Sequence, residues 1–216
     1  MRWILFSFIL LVSSAQADTP RVLAVGDSLL AWHKWTDQDI PSVMGQVLGA
    51  RVENDAVAGA RFSNASGLGR MLGFDVRSQY RRGPWDIVLM NGGANDLLND
   101  CNCRACAPVV DGLINADLDG EVPRFVAQVL RAGAEVVWMG YYATARSAQF
   151  AGCRPFLVEY DARMARLAAV TQGLTFVDAE DALDPQNRAL FALDGIHPSA
   201  EGALRVGTYL ANRISP

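Results

Sequence analysis

Histidine is scarce in this sequence, which contains only His33 and His197. Two histidines cannot supply a three-histidine zinc site, and the sequence has no His-Glu-x-x-His motif of the kind that holds zinc on a helix. We therefore predict no metal site. A reaction that needs a histidine base has only these two residues to choose from.

Positive charge is also in short supply, since 19 lysines and arginines face 23 aspartates and glutamates and give a formal net charge of −4. A chain that binds nucleic acid would normally carry a basic surface, so we expect no nucleic-acid partner. The hydrophobic fraction of 51% and the charged fraction of 19% are typical of a globular chain. A length of 216 residues suits one α/β domain.

The apolar run from Trp3 to Val12 is too short to cross a bilayer comfortably, which takes about 20 apolar residues. It follows a positive start at Met1–Arg2 and precedes small residues that end in an Ala-x-Ala pattern. This layout predicts a signal peptide over residues 1–17, and a permanent membrane anchor is the alternative. We expect a bacterial periplasmic or secreted protein with one domain over residues 18–216 and no stable membrane anchor.

Export changes the interpretation of the four cysteines, Cys101, Cys103, Cys106 and Cys153. An even set in an oxidising compartment favours two disulfides. A metal site built from the thiolates, or a redox pair of Cys103 and Cys106, is the alternative. Of the three pairings, the one with a Cys101–Cys103 bridge closes a very small ring and is disfavoured. We therefore expect Cys153 to pair with Cys101 or Cys103.

Apolar runs and helical periodicity alternate along the rest of the chain. The predicted strands are 21–25, 51–54, 86–90, 135–139 and 174–177, and the predicted helices are 38–49, 120–132, 155–172 and 199–213. This alternation predicts a parallel sheet with helices on both faces, and a site in the loops at the carboxyl ends of the strands. The segment 97–118, which contains three cysteines, is expected to be a long restrained loop.

Four short motifs fall in those loops. They are Gly26-Asp27-Ser28-Leu29 after the first strand, Gly59 after the second, Asn95 in Gly-Ala-Asn-Asp after the third, and Asp194-Gly-Ile-His197 before the last helix. A serine at a strand-to-helix turn can present both its hydroxyl and its backbone N–H to a ligand. An aspartate three residues before a histidine in a tight turn can hydrogen-bond to the imidazole and orient it.

Each motif alone is a weak signal, but their joint order resembles the SGNH hydrolases of the GDSL esterase/lipase family. The resemblance covers residues 21–213 and rests on Ser28, Gly59, Asn95 and His197 in that order, with Asp194 in the last block. It implies a flavodoxin-like three-layer α/β/α sandwich with five parallel strands. The α/β-hydrolase fold is excluded because its Gly-x-Ser-x-Gly motif is absent.

The resemblance also implies a mechanism. Ser28 would attack an acyl carbonyl, His197 would take the serine proton, and Asp194 would hold the imidazole. The oxyanion would be held by the backbone N–H groups of Ser28 and Gly59 and by the side-chain amide of Asn95. Water would then hydrolyse the acyl-enzyme, and no metal or organic cofactor is needed.

Other residues near the four blocks have two interpretations. The candidates for lining the substrate pocket are Trp32, His33, Arg61 and Tyr141. Trp32, His33 and Trp35, which all follow the predicted nucleophile and could line the pocket, could instead pack the first helix and its loop, and Arg61 could face solvent. For Asp27 and Asp96, which flank the site, we expect structural hydrogen bonding and not catalysis.

The sequence does not select a substrate. Our first expectation is a carboxylesterase that acts on small or medium acyl esters. The alternative is removal of O-acetyl groups from a carbohydrate or cell-wall glycan, with thioesterase or lysophospholipase activity less favoured. A non-catalytic binding module on the same fold is a further alternative, although its expected loss of a catalytic residue is not seen.

Overall fold

The computed structural model describes residues 19–142 and 149–214. The predicted signal peptide, residues 1–17, lies outside the described residues. Across these two ranges, no helix has the length and apolar character needed to cross a membrane.

A sheet of five parallel strands in the order β2-β1-β3-β4-β5 forms the centre of the described chain. The strands are β1 (Arg21–Val25), β2 (Arg51–Asn54), β3 (Ile87–Met90), β4 (Glu135–Met139) and β5 (Leu174–Val177). All five predicted strands are present, and β3 begins one residue later than predicted. The three central strands are almost entirely buried because helices cover both faces of the sheet.

The four predicted helices correspond to α2, α7, α8 and α9. The helices are α1 (Ser28–Ala31), α2 (Ile40–Leu48), α3 (Gly67–Met71), α4 (Val76–Gln79), α5 (Ala94–Cys101), α6 (Ala107–Leu113), α7 (Glu121–Leu130), α8 (Arg154–Val170) and α9 (Ala200–Ile214). The segment 97–118, expected to be a loop, contains most of α5 and all of α6. The helices of four to eight residues were not predicted, because a segment that short contains too few apolar positions to reveal a helical period.

The strand order changes direction at β1, which creates the place for a site. The connection from β1 leads to β2 on one side, whereas the later connections all move to the other side. Right-handed crossovers therefore put α2 on one face of the sheet and α7 and α8 on the other. The carboxyl ends of β1 and β3 border the crevice that such a reversal opens.

The two helical layers have recognisable contacts. On one face α2 packs against α9, and on the other α6 contacts both α7 and α8. A Cβ added to Gly207 of α9 would come within 2.7 Å of the Cβ of Val43 in α2, so the glycine permits the close crossing. The arrangement is the three-layer α/β/α sandwich predicted from the sequence.

All four cysteines are paired, as Cys101–Cys106 and Cys103–Cys153. The second pairing is one of the two that the sequence left open for Cys153. The first disulfide closes the turn between α5 and α6, and the second ties that turn to the residue just before α8. Cysteines in disulfides have no free thiolate to offer a metal ion.

Candidate active site

The turn that follows β1, residues 26–28, is fixed by buried hydrogen bonds to distant parts of the chain. The Gly26 N–H donates to Gln79 Oε1 at 2.6 Å, and Gln79 Nε2 donates back to the Gly26 carbonyl at 2.9 Å. The Asp27 N–H donates to Asn91 Oδ1 at 2.9 Å. A Cβ on Gly26 would come within 1.9 Å of the same Asn91 oxygen, so only glycine fits there. The turn therefore holds Ser28, the first residue of α1, against the ends of β1 and β3.

The buried carboxylate of Asp27 accepts hydrogen bonds that hold this turn in place. It is 2% exposed and accepts hydrogen bonds from the Leu29 N–H at 3.0 Å, from Asn91 Nδ2 at 3.0 Å and from the Tyr141 hydroxyl at 2.5 Å. Burial raises the pKa of Asp27, and these three donors oppose the rise. This agrees with the expected structural role of Asp27.

A second turn, before α9, carries Asp194 and His197. Asp194 Oδ2 lies 2.6 Å from His197 Nδ1, and Asp194 Oδ1 accepts from the backbone N–H groups of Ile196 and His197 at 2.9 and 3.0 Å. Burial tends to raise the pKa of Asp194, but these hydrogen bonds outweigh it and leave the pKa below its usual value. The ionised carboxylate fixes a proton on Nδ1 and leaves Nε2 free to accept one.

The ring of Trp32 brings the two turns together. It lies parallel to the His197 imidazole, with 3.9 Å between ring centroids and 6° between planes. Trp32 caps the helix that Ser28 begins, and its N–H donates to the Ser28 carbonyl at 2.9 Å. His33 adds a second link, from Nε2 to the Pro198 carbonyl at 3.2 Å.

His197 Nε2 is buried and has no hydrogen-bond partner within the part of the chain that the structure describes. The Asp194–His197 contact is thus formed, whereas a contact from His197 to the Ser28 hydroxyl is not. Catalytic hydrogen bonds are often long in unliganded enzymes and tighten when substrate binds.

Gly59 lies on the loop after β2, and Asn95 is the second residue of α5. The Val57 N–H donates to the Gly26 carbonyl at 3.1 Å, which holds the loop after β2 against residues 26–28, the nucleophile turn, named for the predicted role of Ser28. Asn95 Nδ2 donates to the Ala60 carbonyl at 3.2 Å, which joins α5 to the same loop. Gly59 is exposed, with φ +80° and open space where a side chain would stand, so glycine is favoured by the backbone conformation.

Asp96 supports this loop from α5. Its buried carboxylate accepts from the Ser63 N–H at 2.7 Å and from the Phe62 N–H at 3.2 Å. Burial raises the pKa of Asp96 to about 6, although the two backbone donors oppose it. These contacts agree with the expected structural role.

The predicted pocket residues lie in different surroundings. Trp32 and His33 contact the turn of His197, as described above. Arg61 Nη1 lies 3.2 Å from Asp100 Oδ1 in a partly exposed ion pair. Tyr141 is 5% exposed; its hydroxyl donates to Asp27 and accepts from the Ala94 N–H at 3.2 Å, so it lies beneath the nucleophile turn.

Sequence reasoning missed Asn91 and Gln79, both of which hold the nucleophile turn. Asn91 had a usable signal, because it is a polar residue directly after a buried strand and before two glycines. Gln79 had none, since it lies on a short helix that no periodicity reveals and reaches a turn 53 residues away.

An open cavity of about 440 Å³ lies beside Asp96. Its lining is mixed, with apolar groups such as Phe62 and Leu113 beside polar or charged ones such as Ser63 and Arg70. Within the described ranges, no group of three or more histidine, cysteine, aspartate or glutamate side chains could hold a metal ion.

The sequence family described as GDSL-like lipase/acylhydrolase matches residues 24–205. Because the match covers most of the chain, the protein belongs to this family of hydrolases. The match confirms the family that the four sequence blocks predicted. No curated protein sequence matches the chain significantly.

Solved structures share the fold over nearly the whole chain. A protein from Slackia heliotrinireducens assigned to the SGNH hydrolases is 21% identical, with a TM-score of 0.61 and coverage of 92% of this chain and 100% of its own. A lipase from a goat rumen metagenome is 14% identical, with a TM-score of 0.62 and coverage of 91% and 98%. A family 3 carbohydrate esterase from Clostridium thermocellum is 13% identical, with a TM-score of 0.58 and coverage of 90% and 94%.

Proposed function

We propose that the protein is an exported serine esterase that cleaves carboxylic esters through an acyl-enzyme on Ser28. The observation that carries the proposal is the 2.6 Å contact between Asp194 Oδ2 and His197 Nδ1. The His197 imidazole in turn stacks on the ring of Trp32, the residue that caps the helix beginning at Ser28. Family membership supports hydrolysis, and the proposal adds the residues and the bond cleaved.

In the acylation step, Ser28 Oγ forms a bond to the ester carbonyl carbon and its proton passes to His197 Nε2. The carbonyl electron pair moves onto oxygen, which accepts hydrogen bonds from the N–H groups of Ser28 and Gly59 and from the amide of Asn95. One such donor is usually worth about 10²–10³ in turnover. Asp194 stays ionised and stabilises the imidazolium.

Acylation is completed when the alcohol leaves, and deacylation then uses water with the same proton transfers. The tetrahedral intermediate collapses, and the alcohol leaves with the proton from His197 Nε2. Water then attacks the acyl carbon while His197 accepts one of its protons. Return of that proton to Ser28 Oγ releases the carboxylic acid and restores the enzyme.

The two disulfides support export. Structural disulfides persist in oxidising compartments and are rare in the bacterial cytosol. The bridges Cys101–Cys106 and Cys103–Cys153 therefore fit the signal peptide proposed from the sequence.

The test is labelling with a fluorophosphonate probe, followed by identification of the modified peptide. We expect label on Ser28, loss of label and of p-nitrophenyl ester hydrolysis in Ser28→Ala, and normal behaviour in Ser78→Ala, a control at an exposed serine of α4. Retained hydrolysis in Ser28→Ala would overturn the nucleophile. A folded wild-type protein that neither labels nor hydrolyses would favour a non-catalytic binding module.

A second candidate function is removal of O-acetyl groups from a carbohydrate. Its support is that carbohydrate esterases are among the solved structures that share the fold, such as the family 3 enzyme from Clostridium thermocellum. A chain-length series of p-nitrophenyl esters, run beside an O-acetylated glycan, separates the two candidates. Preference for acetyl esters with acetate release from the glycan favours the second.

A further inference from the structure

The stack of Trp32 on His197 is closer and more parallel than most pairs of neutral aromatic rings. Such pairs prefer offset or edge-to-face arrangements with centroids roughly 4.5–7 Å apart, because their quadrupoles repel in a face-to-face sandwich. Here the centroids are 3.9 Å apart and the planes differ by 6°. The same geometry is favourable when one ring is a cation, since an indole face attracts positive charge more strongly than other aromatic faces do.

We propose that Trp32 is a positioning residue that holds the His197 ring in place and stabilises its imidazolium form during ester cleavage. The inference rests on the proposed function, in which His197 takes the proton of Ser28. During that reaction the ring gains its charge when it takes the serine proton. An interaction that strengthens at that point raises kcat and does not act through substrate binding.

Several other groups interact with the His197 imidazole, and none of them belongs to the Trp32 side chain. Asp194 contacts Nδ1 at 2.6 Å, and the buried Asp27 carboxylate also interacts electrostatically with the imidazole. The Tyr142 hydroxyl also interacts electrostatically with both carboxylates. His33 bonds the Pro198 carbonyl at the edge of the turn. These groups stay in place when only the indole is replaced.

The test compares Trp32→Leu, which keeps an apolar side chain over the ring, with Trp32→Phe, which keeps a weaker aromatic face. For Trp32→Leu we expect kcat to fall roughly 3- to 10-fold with KM unchanged, and the acid limb of the pH profile to move about half a unit lower. Trp32→Phe should lie between this variant and the wild type. Trp35→Leu is the matched control, because Trp35 is 91% exposed.

A second readout does not depend on activity. The two imidazoles give separate NMR signals, and His33→Asn identifies that of His197; asparagine tolerates the φ of +67° at position 33. We expect His197 to titrate at lower pH in Trp32→Leu than in the wild type, by about half a unit.

The outcomes separate this inference from the proposed function. Titration of His197 at the wild-type pH in Trp32→Leu, with kcat unchanged, overturns the inference while Ser28 labelling still supports the esterase. A raised KM at constant kcat also overturns it and makes Trp32 a substrate contact. If Ser28 does not label but the titration shifts as expected, the esterase fails and the stabilisation of the imidazolium stands. Should Trp32→Leu not fold, the titration and kcat of Trp32→Phe decide.

Discussion

The two turns that form the candidate site are held in opposite ways. The nucleophile turn, residues 26–28, depends on buried hydrogen bonds to partners 53, 64 and 114 residues away. The base turn, residues 192–198, depends on bonds within itself, from the carboxylate of Asp194 and from the Ala192 N–H to the His197 carbonyl at 2.8 Å. The Asp194 side chain is 37% exposed, whereas Asp27 is 2% exposed.

Because the two turns are held differently, we expect changes in one to affect mainly stability and changes in the other to affect mainly catalysis. Damage to the nucleophile turn must disturb the ends of three strands, because its partners follow β3 and β4 and lie on α4. Damage to the base turn can remain local, because few of its contacts reach the core. We therefore expect changes in the base turn to alter the rate at nearly constant stability, and changes beneath the nucleophile turn to alter the free energy of unfolding.

The largest expected effect is on the base turn. Asp194→Asn keeps an oxygen for the backbone N–H groups of Ile196 and His197 but can no longer fix the imidazole tautomer. We expect kcat to fall about 10³- to 10⁴-fold while the free energy of unfolding changes by less than about 1 kcal/mol. Steady-state ester hydrolysis and urea denaturation measure the two quantities.

The control for this variant is Asp184→Asn. Asp184 Oδ1 accepts from the Gln186 N–H at 2.8 Å in a similar exposed turn that contains no histidine, so its activity should stay at the wild-type level. A large loss of stability in Asp194→Asn would contradict the comparison, since it would make the base turn part of the core.

The next effect concerns pH and Asp96, which supports the loop beside the nucleophile turn. The pKa of this carboxyl is about 6 in the folded chain against 3.8 ordinarily. Protonation therefore favours the folded state, and this contribution is complete below about pH 3.8 and lost as pH rises through about 6. We expect the wild type to lose about 2 to 2.5 kcal/mol relative to Asp96→Asn between pH 4 and pH 7.

Urea denaturation at a series of pH values measures this difference, and the base turn gives the opposite sign. The lowered pKa of Asp194 contributes stability above its ordinary value of 3.8, which is lost only as pH falls further. A flat difference between wild type and Asp96→Asn over this window would show that the carboxyl is not the source of the pH dependence.

The smallest effect is on a single buried hydroxyl. Tyr141→Phe removes the donor to Asp27 and the acceptor for the Ala94 N–H, which leaves two buried groups unsatisfied. We expect the free energy of unfolding to fall by roughly 2 kcal/mol. Thermal or urea denaturation measures the loss.

Tyr209→Phe is the matched control, because the Tyr209 hydroxyl donates to Asp181 Oδ2 at 3.0 Å in an exposed position. Its stability should change by less than about 0.5 kcal/mol. Equal losses of stability in Tyr141→Phe and Tyr209→Phe would contradict the expectation that the buried hydrogen bond matters more than the exposed one.

The sheet could be predicted closely from the sequence because its buried strands are continuous apolar runs. The strand predicted at 86–90 differs from Ile87–Met90 by a single residue. The short helices α3 to α6 could not be predicted, since their ends are set by capping residues such as Ser66 and Asp75 and by tertiary packing.

The candidate site was predictable only in part, for a related reason. The spacing of Asp194 and His197 is local, so the sequence alone indicates that they can meet. The contact of Tyr141 with Asp27 spans 114 residues, and the stack of Trp32 on His197 depends on how α1 faces the last loop. Neither leaves a pattern in the sequence, because both follow from the topology of the sheet.

The disulfide between Cys103 and Cys153 has a practical consequence for making the protein. It joins residues 50 apart, so the loop that it closes includes the whole of β4 and α7. A long closed loop removes more entropy from the unfolded chain than the short Cys101–Cys106 loop does. Recombinant production should therefore yield more folded protein when the chain is routed to an oxidising compartment with disulfide catalysts than when it is kept in a reducing cytosol.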